Sequence, residues 1–305
     1  GSAGLVWFYA APVFSQAFAA VLLVQFGMNL AIGPYQAALP DYIEEERLGN
    51  ASSWMAGLQS LGNAAGAVVA GLVSDTRLVA AGIVVALLST CGLTASHAAK
   101  LTRLPAANDR VQITQAYTDL FVSRALVYLG FYTLLGYLFF FIQETLGSAQ
   151  TKAFTGYTLL AVTIAGSIGA VFAAKPADRY DQRAVACIGG AAFALAIALL
   201  IAMHTAPGII VCGALAGAAW GIFLTADWAL GCRFVPRAHA ATALGIWNLA
   251  LLLPQIAAPL LVTLVLRSMH SLNGSQARVA FVVALLEITA GSIWIWRLPA
   301  RRSIG

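Results

Sequence analysis

Charged residues occur in short clusters along this chain, and long charge-free stretches separate them. A membrane-spanning helix needs about 20 consecutive apolar residues, and most of these stretches are at least that long. Hydrophobic residues make up 60% of the 305 residues and charged residues only 10%, whereas a soluble domain carries about 25% charged residues. The pattern therefore predicts an all-α polytopic membrane protein and excludes the soluble enzyme folds.

The charge-free runs define ten predicted hydrophobic segments. Five runs each fit one span, and these are 48–74, 78–99, 125–143, 153–174 and 238–266. Run 184–226 fits two spans, run 1–40 holds one span after a shorter piece that ends near Pro12, and 277–297 is the last span. Because the first piece is short and the chain begins without Met, we interpret the sequence as N-terminally truncated.

The basic residues predict the orientation of these segments. If the segments cross the membrane in alternation, 13 of the 17 basic residues lie on one face. The other face receives Arg77, Lys152, Arg267 and Arg278. The positive-inside rule places the basic face, with the C-terminus, in the cytoplasm, and we expect a bacterial inner membrane. The net charge of +5 then reflects topology and anionic lipid headgroups rather than nucleic-acid binding.

Pairs of polar side chains recur at helical spacing inside the predicted spans. They are Asn29 with Gln36, Tyr128 with Tyr132, and Asn248 with Gln255. Such side chains either hydrogen-bond between helices or line a wet cavity, and both possibilities stay open at this point. In a cavity, aromatic rings beside amides would suit a neutral polyol such as a sugar.

Two carboxylates lie inside predicted spans, where each costs about 2.5–3.5 kcal/mol at a helix centre. Asp227 is near the cytoplasmic end of its segment, where it could carry a proton, latch to a basic residue such as Arg233, or face headgroup water. Glu287 is at mid-span, where it could couple protons or bond a neighbouring helix. Arg124 is near the end of its span and could snorkel to the interface.

The sequence offers no catalytic or metal-binding pattern. The four cysteines lie in or at the ends of hydrophobic segments without a CxxC spacing, and the four histidines lie in loops or at helix ends. Neither a zinc site nor a disulfide framework is indicated, and no nucleophile motif is present. We therefore expect no metal, no cofactor and no enzymatic activity.

A loop between two predicted spans carries a recognisable signature. Residues 174–183 read Ala-Lys-Pro-Ala-Asp-Arg-Tyr-Asp-Gln-Arg. This resembles the cytoplasmic loop signature Gly-x-x-x-Asp-Arg-x-Gly-Arg-Arg of the major facilitator superfamily, with Asp178, Arg179 and Arg183 at its charged positions. An acidic side chain in such a loop can sit against a helix N-terminus of the opposite half and hold a cytoplasmic gate shut.

Further segments carry a more specific resemblance. They are residues 33–41, 47–55, 227–230, 245–248 and 253–259. These are similar to the glycoside–pentoside–hexuronide:cation and sucrose:proton symporters of the same superfamily. The resemblance implies the major facilitator fold, with two pseudo-symmetric helical bundles and helices three to twelve of twelve present. It divides the chain into an N-terminal bundle remnant at 1–98, a cytoplasmic linker at 99–116 and a C-terminal bundle at 117–305.

The resemblance also implies a function, which is secondary active transport by alternating access. A monomer would couple a proton or sodium ion to the uptake of a sugar or related small polar solute. The cavity would be lined by the three polar pairs, with Asp178, Arg179, Arg183, Asp227 and Glu287 in gating or coupling. Efflux of drug-like or amphipathic molecules, and a non-transporting receptor or scaffold, remain alternatives. Without helices one and two, we expect the chain alone not to transport.

Overall fold

The computed structural model describes residues 1–42, 47–72, 76–98, 113–147, 149, 151–235, 240–268 and 275–300. All regular structure in these ranges is helical. The α-helices are α1 (Ser2–Ala10), α2 (Phe14–Tyr42), α3 (Leu48–Leu72), α4 (Thr76–Ala98), α5 (Gln115–Leu146), α6 (Thr151–Arg179), α7 (Gln182–Ile201), α8 (Ala206–Phe234), α9 (Ala240–Ser268) and α10 (Gln276–Trp294), followed by a 3-10 turn at Ile295–Arg297. The ten predicted segments and the break near Pro12 are confirmed.

Six of the described helices, α5 to α10, are long and apolar enough to cross a membrane. Shorter apolar stretches occur at Phe14–Met28 in α2 and Arg77–Leu93 in α4. The helices expose many large apolar side chains, among them Phe172, Ile188 and Leu264. A surface of this kind is stable against lipid rather than water, so the chain is an integral multi-pass membrane protein.

Polar caps and glycine set several helix ends. Thr114 accepts a hydrogen bond from the Tyr117 amide, Asp181 from the Arg183 amide and Ser275 from the Arg278 amide. Each cap satisfies an amide of the first turn that has no partner inside the helix. Gly147, with φ of 85°, ends α5 in a conformation that other residues rarely adopt.

α8 is the central helix of the described fold. It packs against α6 and α7, while α10 packs against α5 and α7, and α5 also meets α9. From the first part of the chain, α3 packs against α6 and α8, and α2 against α9. The largest fully buried side chains include Trp247, Phe223, Phe193 and, unusually for a core, Arg124. The core therefore encloses a charge.

One predicted boundary is corrected by the structure. The predicted loop at 174–183 is mostly helical, because α6 continues through Pro176 to Arg179. Its inner face, with Ala174 and Ala177, stays buried, so packing extends the helix past the proline. Of the predicted linker 99–116, residues 99–112 lie outside the described part of the chain, so the linker stays a prediction.

Candidate functional site

Arg124 of α5 forms a buried ion pair with Asp227 of α8. The Arg124 Nη1 group donates to Oδ2 of Asp227, and both side chains are 1% exposed. Its Nη2 group donates to the Tyr128 hydroxyl at 3.3 Å. Arg124 therefore points into the bundle and does not snorkel. Asp227 was suggested to latch to a basic residue such as Arg233, and in the structure it pairs with Arg124, while Nη2 of Arg233 donates to the Ala300 carbonyl at 2.9 Å.

Aromatic rings surround the Arg124 guanidinium. Its central carbon lies 3.6 Å from the centre of the Trp247 ring, 4.7 Å from Tyr128 and 5.5 Å from Trp228. The two indoles meet edge to face, with centres 4.7 Å apart. Rings at these distances stabilise a cation through their negative faces. We call Arg124, Tyr128, Asp227, Trp228 and Trp247 the Arg124 cage.

Three helices hold the cage at one depth. Arg124 lies nine residues after the start of α5 and Asp227 seven before the end of α8, which is about 14 and 10 Å along the helix axes. The Tyr117 hydroxyl donates to the Ala243 carbonyl at 2.6 Å and ties α5 to α9. Trp247 follows Ala243 by one turn, so this bond fixes the indole beside Arg124.

The cage contains buried donors without a partner. Among the described residues, no group accepts a hydrogen bond from Arg124 Nε, Trp228 Nε1 or Trp247 Nε1. Arginine and tryptophan nitrogens can only donate. The cage therefore holds three N–H groups for which the described residues supply no acceptor.

An aromatic wall continues from the cage along α5 and α8. Tyr132 lies 6.2 Å from Tyr128 between ring centres, and Trp220 lies 5.0 Å from Tyr128. Phe131 stacks on Trp220 at 4.2 Å and 14°. Tyr128 is buried and Tyr132 half-buried, so the wall leads from the closed cage towards a more open surface.

The other predicted cavity residues are placed differently. Asn248 is buried next to Trp247, whereas Gln255 is exposed. Glu287 of α10 is half-buried and accepts a hydrogen bond from Thr133 Oγ1 at 3.1 Å, so it joins α10 to α5 and lies outside the cage contacts. The side chains of Asn29 and Gln36 lie outside the described part of the structure.

The three predicted gating residues of the loop signature, Asp178, Arg179 and Arg183, lie where α6 ends and α7 begins, next to the start of α3. Both Asp178 carboxylate oxygens accept from the backbone amide of Asn50, at 3.3 and 3.2 Å. Asn50 is the third residue of α3, whose N-terminus carries partial positive charge. Arg179 is exposed, and Arg183 Nη1 donates to the Leu298 carbonyl at 2.6 Å.

Arg124, Trp228 and Trp247 are not among the site residues predicted from the sequence. The available signal is that Arg124 and Asp227 directly flank two charge-free runs, 125–143 and 184–226. Buried charges are almost always paired, so each could have predicted the other.

Within the described ranges, no group of three or more His, Cys, Asp or Glu residues could hold a metal ion.

Fold and site together define a multi-pass helical membrane protein with a buried charged site between its helices. A family model of the Major Facilitator Superfamily matches residues 1–301. The chain belongs to this superfamily, which confirms the predicted fold class and supports a membrane transporter.

Solved structures show the same fold. A bacterial homologue of the iron transporter ferroportin in its outward-facing state aligns with a TM-score of 0.72 at 14% identity, covering 97% of this chain and 80% of that one. The human organic anion transporter MFSD10 (TETRAN) aligns with a TM-score of 0.70 at 15% identity, covering 96% and 74%. A search of curated protein sequences found no match.

Proposed function

We propose that this protein is a secondary active transporter that moves a small polar solute by alternating access, driven by a proton or sodium gradient. The observation that carries the proposal is the contact between Asp178 and the Asn50 amide. It joins α6, in the predicted C-terminal bundle, to α3, in the predicted N-terminal bundle. Alternating access requires a contact between bundles that forms and breaks in each cycle.

The strength of this contact suits a gate. A carboxylate at a helix N-terminus contributes about 0.3–1 kcal/mol when exposed and up to about 2 kcal/mol when partly buried. Asp178 is half-buried and Asn50 exposed. Such a contact favours the closed state, yet solute binding can offset it.

The aromatic wall supports a sugar or a related polar solute. Phe131 and Tyr132 are half-buried and lie beside the Tyr128 ring, with Trp220 stacked behind Phe131. Apolar sugar faces pack against aromatic side chains of this kind. We propose uptake by a member of the glycoside–pentoside–hexuronide:cation or sucrose:proton symporter branch. It would act in a bacterial inner membrane with its C-terminus in the cytoplasm.

The test is solute uptake by the protein expressed from its complete gene in proteoliposomes. A panel of sugars and sugar acids is offered with an inward proton or sodium gradient, and Asp227→Asn is compared with wild type. We expect gradient-dependent uptake of at least one solute that Asp227→Asn loses and Arg278→Gln, on the opposite face, retains. Export of amphipathic dyes without such uptake would instead support efflux.

A further inference from the structure

The Arg124 cage holds more hydrogen-bond donors than acceptors. Arg124 Nε and the indole nitrogens of Trp228 and Trp247 are buried, and the described structure gives them no acceptor. These three side chains are 1%, 2% and 0% exposed. A buried donor without a partner is costly, and three around a single cation indicate a place for a further acceptor group.

The acceptor that fits is a carboxylate. A carboxylate accepts on two oxygens, carries the charge that complements a guanidinium, and donates nothing. The cage already shows this chemistry, because Asp227 supplies a carboxylate oxygen to Arg124 Nη1. A neutral hydroxyl could accept from an indole but would leave the arginine charge uncompensated once Asp227 moved away.

We propose that the Arg124 cage is a binding site for the carboxylate of the transported solute, and that Asp227 occupies it when the solute is absent. The inference rests on the proposed function in taking the ligand to be the transported solute. The incoming carboxylate exchanges with Asp227 on Arg124 and accepts from the free nitrogens. The rest of the solute lies along the wall formed by Tyr132, Phe131 and Trp220.

The wall limits the kind of carboxylate. It is aromatic and continuous with Tyr128, so it receives an apolar or ring-shaped body attached to the carboxylate. An inorganic anion would use the nitrogens and leave the wall empty. The substrate class is therefore a small organic monocarboxylate.

Equilibrium binding of matched carboxylate and neutral probes to the purified 305-residue chain in lipid nanodiscs tests the proposal. The pairs are glucuronate with glucose, benzoate with benzyl alcohol, and lactate with propane-1,2-diol. One or more of the carboxylates is expected to bind about tenfold more tightly than its neutral partner, because a hydrogen bond to a charged group strengthens binding by about that factor. Chloride is expected to compete only weakly.

Variants separate the cage from other anion sites. Asp227→Asn removes the internal competitor and is expected to tighten carboxylate binding about tenfold. Arg124→Gln is expected to abolish it, and Arg278→Gln, distant in the fold, to leave it unchanged. Trp247→Phe keeps a ring beside Arg124 but loses one N–H. It is expected to weaken binding about threefold and serves as the deciding variant if Asp227→Asn fails to fold.

Several results would overturn the inference. They are equal binding of all three carboxylates and their neutral partners, carboxylate binding that survives Arg124→Gln, and chloride competing as strongly as the carboxylates. The assay does not require translocation. Carboxylate binding without uptake would keep the cage as a carboxylate site but remove the proposed function, and with it the identification of the ligand as a transported solute. Uptake of a neutral sugar without carboxylate binding would keep the proposed function and overturn this inference.

Discussion

The guanidinium carbon of Arg124 lies 3.6 Å from the centre of the Trp247 indole, so a cation on α5 rests against a ring on α9. Asp227 on α8 completes the contact. Three helices therefore meet at one charged group with almost no exposure. The stability of this part of the bundle depends on how the charge is compensated.

Removing one partner of the pair is expected to destabilise the protein strongly. Asp227→Leu or Arg124→Met alone leaves a buried charge uncompensated, which costs about 3–5 kcal/mol. The double variant Arg124→Met/Asp227→Leu removes both charges. Its free energy of unfolding is expected to lie within about 1 kcal/mol of the wild-type value. Denaturant unfolding of the four proteins in nanodiscs measures this. A double variant that loses the sum of the two single losses would show that the residues do not act as a pair.

Much of the helical framework could be predicted from the charges alone. A charged residue inside a span is costly, so gaps between charges mark the spans. Run 184–226, predicted to hold two spans, divides between Ile201 of α7 and Ala206 of α8. The end of α6 could not be read this way. Lys175 and Asp178 indicate a loop, but burial of Ala174 and Ala177 keeps the chain helical.

The site was only partly predictable. Asp227 and Tyr128 follow from single-residue arguments about charge and aromatic spacing. Their meeting point does not, because Arg124 and Asp227 are 103 positions apart and only helix packing brings them together. The Asp178 contact was more predictable from the sequence, because the loop signature itself suggests a carboxylate at a helix N-terminus.

Loss of the Asp178 contact is expected to open the junction between α3 and α6. Ser53 of α3 is 3% exposed and lies one turn beyond Asn50, so a cysteine there reports separation of the helices. In a Ser53→Cys protein with the four native cysteines replaced by alanine, Asp178→Ala should raise maleimide labelling about fivefold, from a contact of about 1 kcal/mol.

The matched control is Lys175→Gln, on an exposed position of the same helix. It is expected to leave labelling of the Ser53→Cys protein unchanged. Equal labelling in Asp178→Ala and its parent would mean that the Asn50 contact does not hold the two helices together.

Glycine at 221 is expected to be required for the close approach of α6 and α8. A Cβ atom at Gly221 would overlap the Gly166 carbonyl oxygen and lie 2.7 Å from the Ala170 nitrogen, whereas at Gly156 it would meet nothing within 4 Å. Gly221→Ala is therefore expected to lose about 1–3 kcal/mol through overpacking. Gly156→Ala should instead gain roughly 0.5–1 kcal/mol from helix propensity. Thermal unfolding of both variants measures these changes in stability. Equal changes in the two variants would show that α6 and α8 do not need glycine at position 221.

The Asp181 carboxylate is expected to make stability depend on pH. Burial raises the pKa of Asp181, but hydrogen bonds and positive charge from Arg183, at 2.6 Å, lower it more, so its net pKa lies below the ordinary value. A depressed pKa in the folded state stabilises the protein above the unfolded pKa of about 3.9 and loses that contribution as pH falls through the folded value.

Asp181→Asn should therefore lower stability at pH 7, by about 0.5–1 kcal/mol for a partly exposed pair, while asparagine still caps α7. The difference from wild type should shrink below about pH 4. Arg183→Gln should lose more and keep part of its loss at low pH, because its bond to the Leu298 carbonyl does not titrate. Thermal unfolding of the three proteins at pH 7 and pH 3 measures these stability differences. If wild type and Asp181→Asn differ in stability as much at pH 3 as at pH 7, the effect comes from capping of α7 and not from the ion pair.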